Sequence, residues 1–180
     1  MATKTTSRDR LRQLLSLFAG GDSVLIAINA DPDAIASAMA LKRLLWRKVA
    51  GVTVASVNVI RRPDNLAMLR LLGVKLAPLA NVAVERFQRV ALLDSQPSHH
   101  EAFQKLPLDV IIDHHPLSGA QARFVDIRPR YGATASILTE YLRAARIKPS
   151  SKLATALFLG IKTDTSDFER ETQIEDVVAF

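Results

Sequence analysis

Apolar residues recur along this chain in two rhythms. Over residues 8–19, Leu11, Leu14, Leu15 and Phe18 follow the i, i+3, i+4, i+7 spacing of an amphipathic helix, closed by Gly20-Gly21-Asp22. Three uninterrupted runs of strand length follow: Val24-Leu25-Ile26-Ala27-Ile28, Arg89-Val90-Ala91-Leu92-Leu93 and Asp109-Val110-Ile111-Ile112. They lack the alternation of a half-exposed strand and read as strands covered on both faces. Val52-Thr53-Val54-Ala55-Ser56-Val57 does alternate, and Phe124-Val125-Asp126 is a shorter candidate. Between these runs the spacing predicts helices from about Ala34 to Lys48, over 65–72 up to Gly73, and over 132–146 with Ala135, Leu138, Leu142 and Ala145 on one face. Another opens at Pro149-Ser150-Ser151 and turns Leu153, Ala156, Leu157, Gly160 and Ile161 inward. Ile174-Glu175-Asp176-Val177-Val178-Ala179-Phe180 reads as a further helix broken off at its start. Residues 74–88 carry no clear pattern. Strands alternating with helices predict an α/β fold, a mainly parallel sheet flanked by helices on both faces, in a single domain over 1–180.

Polar residues gather where the buried strands end. Asn29-Ala30-Asp31-Pro32-Asp33 lies between a strand and a helix start, the place where open α/β sheets put their ligands. Asp33 also suits the N-cap of that helix, a role that leaves Asp31 unexplained. Asp94 ends the second buried strand, and Asp113-His114-His115-Pro116 ends the third. Asp164 can join them only by folding back from a helix end. Asp and His are costly to bury unless something binds them, and a cluster of carboxylates at one sheet edge is unfavourable without cations. Two divalent ions about 3.5–4 Å apart would neutralise it and clamp a phosphoryl group. Mixed Asp and His ligation points to manganese first, then magnesium, cobalt or iron.

Composition narrows this further. With 48% hydrophobic residues the chain can build a sizeable core, and with no cysteine it has neither disulfides nor thiolate ligands. The start, Met1-Ala2-Thr3-Lys4-Thr5-Thr6-Ser7-Arg8, has no signal-like apolar core, and no apolar stretch is long enough to cross a bilayer. A cytoplasmic location without a membrane partner is the expectation. A net charge of +6 and a pI near 10.0 fit an anionic partner such as a nucleotide, oligonucleotide or polyphosphate. Lys42, Arg43, Arg47 and Lys48 read as a solvated basic helix face. Arg62 and Asn65 are candidate phosphate or sugar contacts beside Asp64, a candidate N-cap. His99 and His100, well past a strand end, read as loop residues rather than ligands.

Four ordered motifs carry a resemblance: Asn29-Ala30-Asp31-Pro32-Asp33-Ala34-Ile35-Ala36-Ser37, Leu92-Leu93-Asp94, Asp113-His114-His115, and Gly160-Ile161-Lys162-Thr163-Asp164-Thr165. Together they resemble the DHH phosphoesterases, the superfamily of the RecJ exonuclease, nanoRNA phosphodiesterases, exopolyphosphatases and family II pyrophosphatases. The segment Tyr131-Gly132-Ala133-Thr134 also looks like the one these proteins carry after their third motif. The resemblance implies that Asp31 binds a first metal and Asp33 a second, that Asp94 bridges them, and that His114 and Asp164 complete the second site. Asp113 would orient the histidines, and His115 would meet the substrate phosphate as a catalytic donor. Ala36 and the substrate-side Ser37 would let a helix N-terminus approach the site. The family would hydrolyse a phosphodiester or phosphoanhydride of a small nucleotide, short oligonucleotide or polyphosphate.

Two departures stand against the pattern. The histidine that usually opens the first motif is Ala27, and the usual proline before the first aspartate is Ala30. The first metal site therefore lacks its imidazole and is expected to be weak. The smaller C-terminal substrate domain that family members carry is also expected to lie beyond this chain, so that the isolated piece would grip substrate poorly. Ala27 leaves open a second reading, a catalytically weak DHH domain that binds nucleotide or phosphate as a regulatory module.

Overall fold

A computed structural model describes residues 6–167, 169 and 172–179. Phe168 and Phe180 lie outside the described residues, as do residues 1–5 and the side chain of Asp64. Six parallel strands form one sheet in the order β3-β2-β1-β4-β5-β6. They are β1 (Ser23–Ile28), β2 (Gly51–Ser56), β3 (Ala77–Pro78), β4 (Arg89–Leu93), β5 (Val110–Asp113) and β6 (Phe124–Ile127). The helices are α1 (Ser7–Leu15), α2 (Pro32–Leu44), α3 (Pro63–Leu72), α4 (Glu101–Gln104), α5 (Thr134–Ala144), α6 (Ser151–Asp164) and α7 (Ile174–Ala179). This is the α/β architecture expected from the alternation of runs.

The two faces are covered unequally. Val24, Ile26 and Ile28 of β1 join Ile112 of β5 in a large core beneath α1, α2, α5 and α6. Leu25, Ala27, Val90, Leu92 and Ile111 form a smaller core on the other face. That face is closed by Phe103 of α4 and by the segment 79–87, which coils through two 3-10 turns. Residues 74–88 looked patternless because, apart from the two-residue β3, they pack as turns, with neither helical nor strand period.

Two helix starts, of α2 and α3, fall earlier than the apolar spacing indicated, whereas α5 begins at Thr134 rather than at 132. Pro32 and Pro63 each occupy the first turn, where the fixed φ and missing N–H suit a helix start. Arg62 takes the N-cap position of α3, so the cap falls two residues before Asp64. Asp164 is the last residue of α6, so it reaches the site from the helix end itself. Among the described residues no helix is long and apolar enough to cross a membrane.

Candidate metal centre

The chain leaves β1 for one side of the sheet and returns at β4 on the other, so a crevice opens where those two neighbours end. Asp31 and Asp33 follow β1, and Asp94 follows β4. Asp94 has φ 55, in the left-handed region that Asp enters more readily than most residues. Its amide donates to the Ile112 carbonyl at 2.9 Å, so the β4 end turns toward β5 rather than running on. His114 and His115 leave the end of β5, and Asp164 arrives from the end of α6.

The N-cap role that suited Asp33 belongs to Asp31. Asp31 is the N-cap of α2, its Oδ1 accepting the Ala34 amide at 2.9 Å. Asp33 is fully buried and caps a different helix. Its two oxygens accept the Thr134 and Ala135 amides at the start of α5, each at 2.7 Å. The N-cap position of α5 is Ala133, whose side chain can cap nothing, and the α2 carboxylate supplies the missing acceptor. Thr134 then links both strands' aspartates, because its hydroxyl donates to Asp94 Oδ1 at 2.9 Å. Ser37 is fully buried behind this group, its Oγ 3.5 Å from Asp33 Oδ1.

His114 is held by one nitrogen and presents the other. Its Nδ1 lies 3.1 Å from the Tyr131 carbonyl, which can only accept, so Nδ1 carries the proton. Nε2 lies 2.9 Å from Asp164 Oδ2 and 3.5 Å from Asp94 Oδ1. It is buried and makes no well-formed hydrogen bond among the described residues. Asp33, His114 and Asp164 can bring ligand atoms within 4.8 Å of one another, as can Asp94, His114 and His115. A buried imidazole nitrogen aimed between carboxylates, with its tautomer fixed from behind, is the disposition of a metal ligand. The donor set therefore fits a divalent ion.

The electrostatics describe the same crowding. Burial and the neighbouring carboxylates push Asp94 up to about 7 and Asp33 well above the usual carboxylate range. Asp31 is raised as well, chiefly by burial. Burial disfavours the His114 imidazolium, but Asp164 and Asp94 outweigh it and push His114 up to about 9. In the absence of an ion, protons do part of the neutralising that a cation would do.

His115 belongs to a second small cluster. Its Nδ1 donates to Asp113 Oδ1 at 2.8 Å, and this bond raises the His115 pKa. Asp113 is fully buried, which would raise it, yet bonds from His115 and Gln96 hold it below the usual carboxylate range. Gln96 Nε2 donates to Asp113 Oδ2 at 2.7 Å. The His99 ring stands edge-on to His115 with centroids 5.3 Å apart. His99, expected to be a bystander, thus borders the site, whereas His100 caps α4.

The other candidates are placed more loosely. Arg62 and Asn65 begin α3, which is entered from the carboxyl end of β2, so they stand on the same edge of the sheet. Arg62 is exposed and Asn65 buried. Ala27 is fully buried between Ala55 of β2 and Leu92 of β4, in the smaller apolar core, and its methyl group cannot hold a metal. Gln96 was absent from the sequence reading, and nothing in the sequence separates it from an ordinary loop glutamine.

Residues 23–161 match the family model of the DHH family, N-terminal domain. The chain belongs to the DHH family. The DHH domain is 44% identical over 156 residues to an uncharacterized protein of Methanocaldococcus jannaschii, MJ1633, covering 87% of this chain and 33% of that one. It is also similar in fold to the crystal structure of an exopolyphosphatase-related protein from Bacteroides fragilis, with a TM-score of 0.72 at 18% identity. That match covers 98% of this chain and 58% of the other. The DHH domain thus spans a third of the length of the curated relative it matches.

Proposed function

We propose that this DHH domain is a divalent-metal-dependent phosphoesterase. Its substrate would be a phosphodiester or phosphoanhydride in a small nucleotide, short oligonucleotide or polyphosphate. The observation that carries the reading is His114 Nε2, buried and aimed between Asp94 and Asp164 at 3.5 and 2.9 Å. Family membership supports hydrolysis, and the name of the Bacteroides protein favours a phosphoanhydride or polyphosphate.

Asp33, His114 and Asp164 would hold the better-furnished ion, with Asp94 shared and Asp31 serving a weaker neighbour that Ala27 leaves without an imidazole. Manganese suits this oxygen and nitrogen set, with magnesium or cobalt as substitutes. Bound ions would supply a water of lowered pKa and would neutralise the charge on the phosphoryl group. His115, fixed at Nδ1 by Asp113, keeps Nε2 to donate to a phosphoryl oxygen or to the leaving group. Arg62 and Asn65 would contact the remainder of the substrate. A second substrate-gripping domain in the intact protein belongs to this reading.

The test is a manganese titration of the protein by calorimetry, paired with turnover of a dinucleotide, pyrophosphate and tripolyphosphate. Manganese-dependent hydrolysis of one of these, lost in His114→Ala together with tight manganese binding, is the expected result. Manganese binding with no turnover of any of the three would replace this reading with that of a phosphate-binding regulatory module, which the buried methyl of Ala27 favours.

A further inference from the structure

We propose that the cleft between α2, α3 and the start of α6 is a binding site for a single-chain anionic amphiphile, an apolar tail ending in a carboxylate or phosphate. The cleft has a volume of about 660 Å³. That lies inside the roughly 300–1,000 Å³ of sites that bury most of a drug-sized ligand. Its floor is apolar: Ile28, Ile35, Met39, Val54, Leu72 and Leu153. Its rim is cationic: Lys42, Arg43 and Lys75. Lys152 adds a fourth cation, because its Nζ would lie 3.7 Å from a Cβ built on Gly73, itself part of the wall.

No Asp or Glu lines the cleft, and among the described residues neither Lys42, Arg43 nor Lys75 is paired with a carboxylate. Trp46 stands at the mouth, 58% exposed. The Arg43 and Arg47 guanidinium groups lie 4.9 and 4.6 Å from its ring centroid. A tryptophan kept half in water beside cations is suited to meet a ligand that is itself part apolar and part charged.

The two halves of the cleft select the ligand between them. A free inorganic anion would use the rim and leave the apolar floor wet. An uncharged apolar molecule would fill the floor and leave the cations without a partner. An amphiphilic anion uses both. None of Asp31, Asp33, Asp94, His114 or Asp164 lines this cleft, so the site is separate from the metal centre and the inference does not depend on the phosphoesterase reading.

Trp46 is the only tryptophan in the chain, which makes its emission a local reporter. The experiment is a fluorescence titration of the protein with laurate below its micelle concentration, with methyl laurate and acetate as controls. The expected result is a saturable one-to-one change with laurate and at least tenfold weaker responses to both controls. The exposed pair Lys42→Glu with Lys75→Glu should weaken laurate at least tenfold without altering the circular dichroism spectrum. Ala38 also lines the floor, and Ala38→Phe, which fills it, should do the same in protein whose circular dichroism spectrum is unchanged. No saturable change, equal affinity for methyl laurate, or unchanged laurate affinity in the charge-reversed variant each overturns the proposal. Titration with lauryl phosphate in place of laurate distinguishes a phosphate head from a carboxylate head.

Discussion

Gln96 is fully buried between the ends of β4 and β5, and both ends of its amide are engaged. Nε2 donates to Asp113 Oδ2 at 2.7 Å and to the Pro116 carbonyl at 3.0 Å, while Oε1 accepts from the Ser118 amide at 2.8 Å and its hydroxyl at 2.9 Å. Gln96→Leu keeps the volume and strands these groups without partners. Each buried polar group left unpaired costs about 1–3 kcal/mol, so the variant should lose at least that much in a urea denaturation series. If the same variant unfolds at the wild-type midpoint, Gln96 is a filler and Asp113 is held by His115 and the His114 amide. At this scale the sequence was half legible. Asp31, Asp94, Asp113 and His114 were visible because a charged or titratable residue near the end of an apolar run needs a reason, and Asp164 because it falls in the fourth of the ordered motifs. Gln96 and Thr134 were invisible because an uncharged polar residue in a loop needs none. The N-cap role that suited Asp33 falls to Asp31, and the helix Asp33 does cap was not readable, since that depends on a neighbour a hundred residues away.

The contact between α2 and α6 decides how the site is framed. Gly160 of α6 faces the first turn of α2 so closely that an added Cβ would lie 3.1 Å from Ala36 Cβ, Asp33 Cα and the Pro32 carbonyl oxygen. Two of those neighbours are backbone and cannot swing away. Alanine favours a helix interior over glycine by about 1 kcal/mol, but overpacking costs about 1–3 kcal/mol. Gly160→Ala should therefore be neutral to destabilising in urea and should weaken manganese binding, because the shift it forces is carried by Asp33 itself. Tighter manganese binding in this variant would refute the argument. The small residues Ala36 and Gly160 were noted in the sequence; that they touch each other was not readable there.

On the far side of α5, Glu140 accepts from the Tyr131 hydroxyl at 2.5 Å, from Arg128 at 2.7 Å and from the Ser7 hydroxyl at 2.8 Å, tying α1 and the β6–α5 loop to α5. Arg128 continues to the buried Asp126, which also receives Tyr141 and Arg10. Burial raises the Glu140 pKa, but bonds from Tyr131, Arg128 and Ser7 outweigh it and hold it below its ordinary 4.5. A depressed carboxylate stabilises the fold fully above the unfolded-state value and loses that contribution as pH falls through the folded value. Glu140→Gln should cost about 1.5–3 kcal/mol at pH 7, the scale of hydrogen bonds to charged groups. The difference from wild type should shrink steadily below about pH 4.5. Thermal melts of the two proteins from pH 7 to pH 3 measure it, and a constant difference across that range would exclude the carboxylate as its source.

Over the whole molecule, the fold was legible because three strands were continuous apolar runs and the β1–β2 crossover carried a recognisable helix, which leaves few arrangements besides a parallel sheet. The unequal cover of its two faces was not legible, since 3-10 turns have no long period to detect. The strand order has a consequence that reaches stability. By placing the ends of β1 and β4 side by side it collects Asp31, Asp33 and Asp94 in one buried crevice, where their mutual repulsion opposes folding until a cation arrives. Asp94→Asn removes one charge and keeps an oxygen for the Thr134 hydroxyl. Without metal, this variant should be more stable than wild type. Relief of about 1 kcal/mol would raise Tm by about 2–4 °C in a chain of this size. With manganese at about a hundredfold its Kd, wild type should gain about 2.7 kcal/mol, whereas Asp94→Asn should gain little and fall behind. Differential scanning calorimetry of both proteins, each with chelator and then with manganese, gives four melting temperatures whose order must cross. If the variant is less stable without metal and still responds to manganese as wild type does, Asp94 is a structural acceptor for Thr134 and the charge cluster is not organised around an ion.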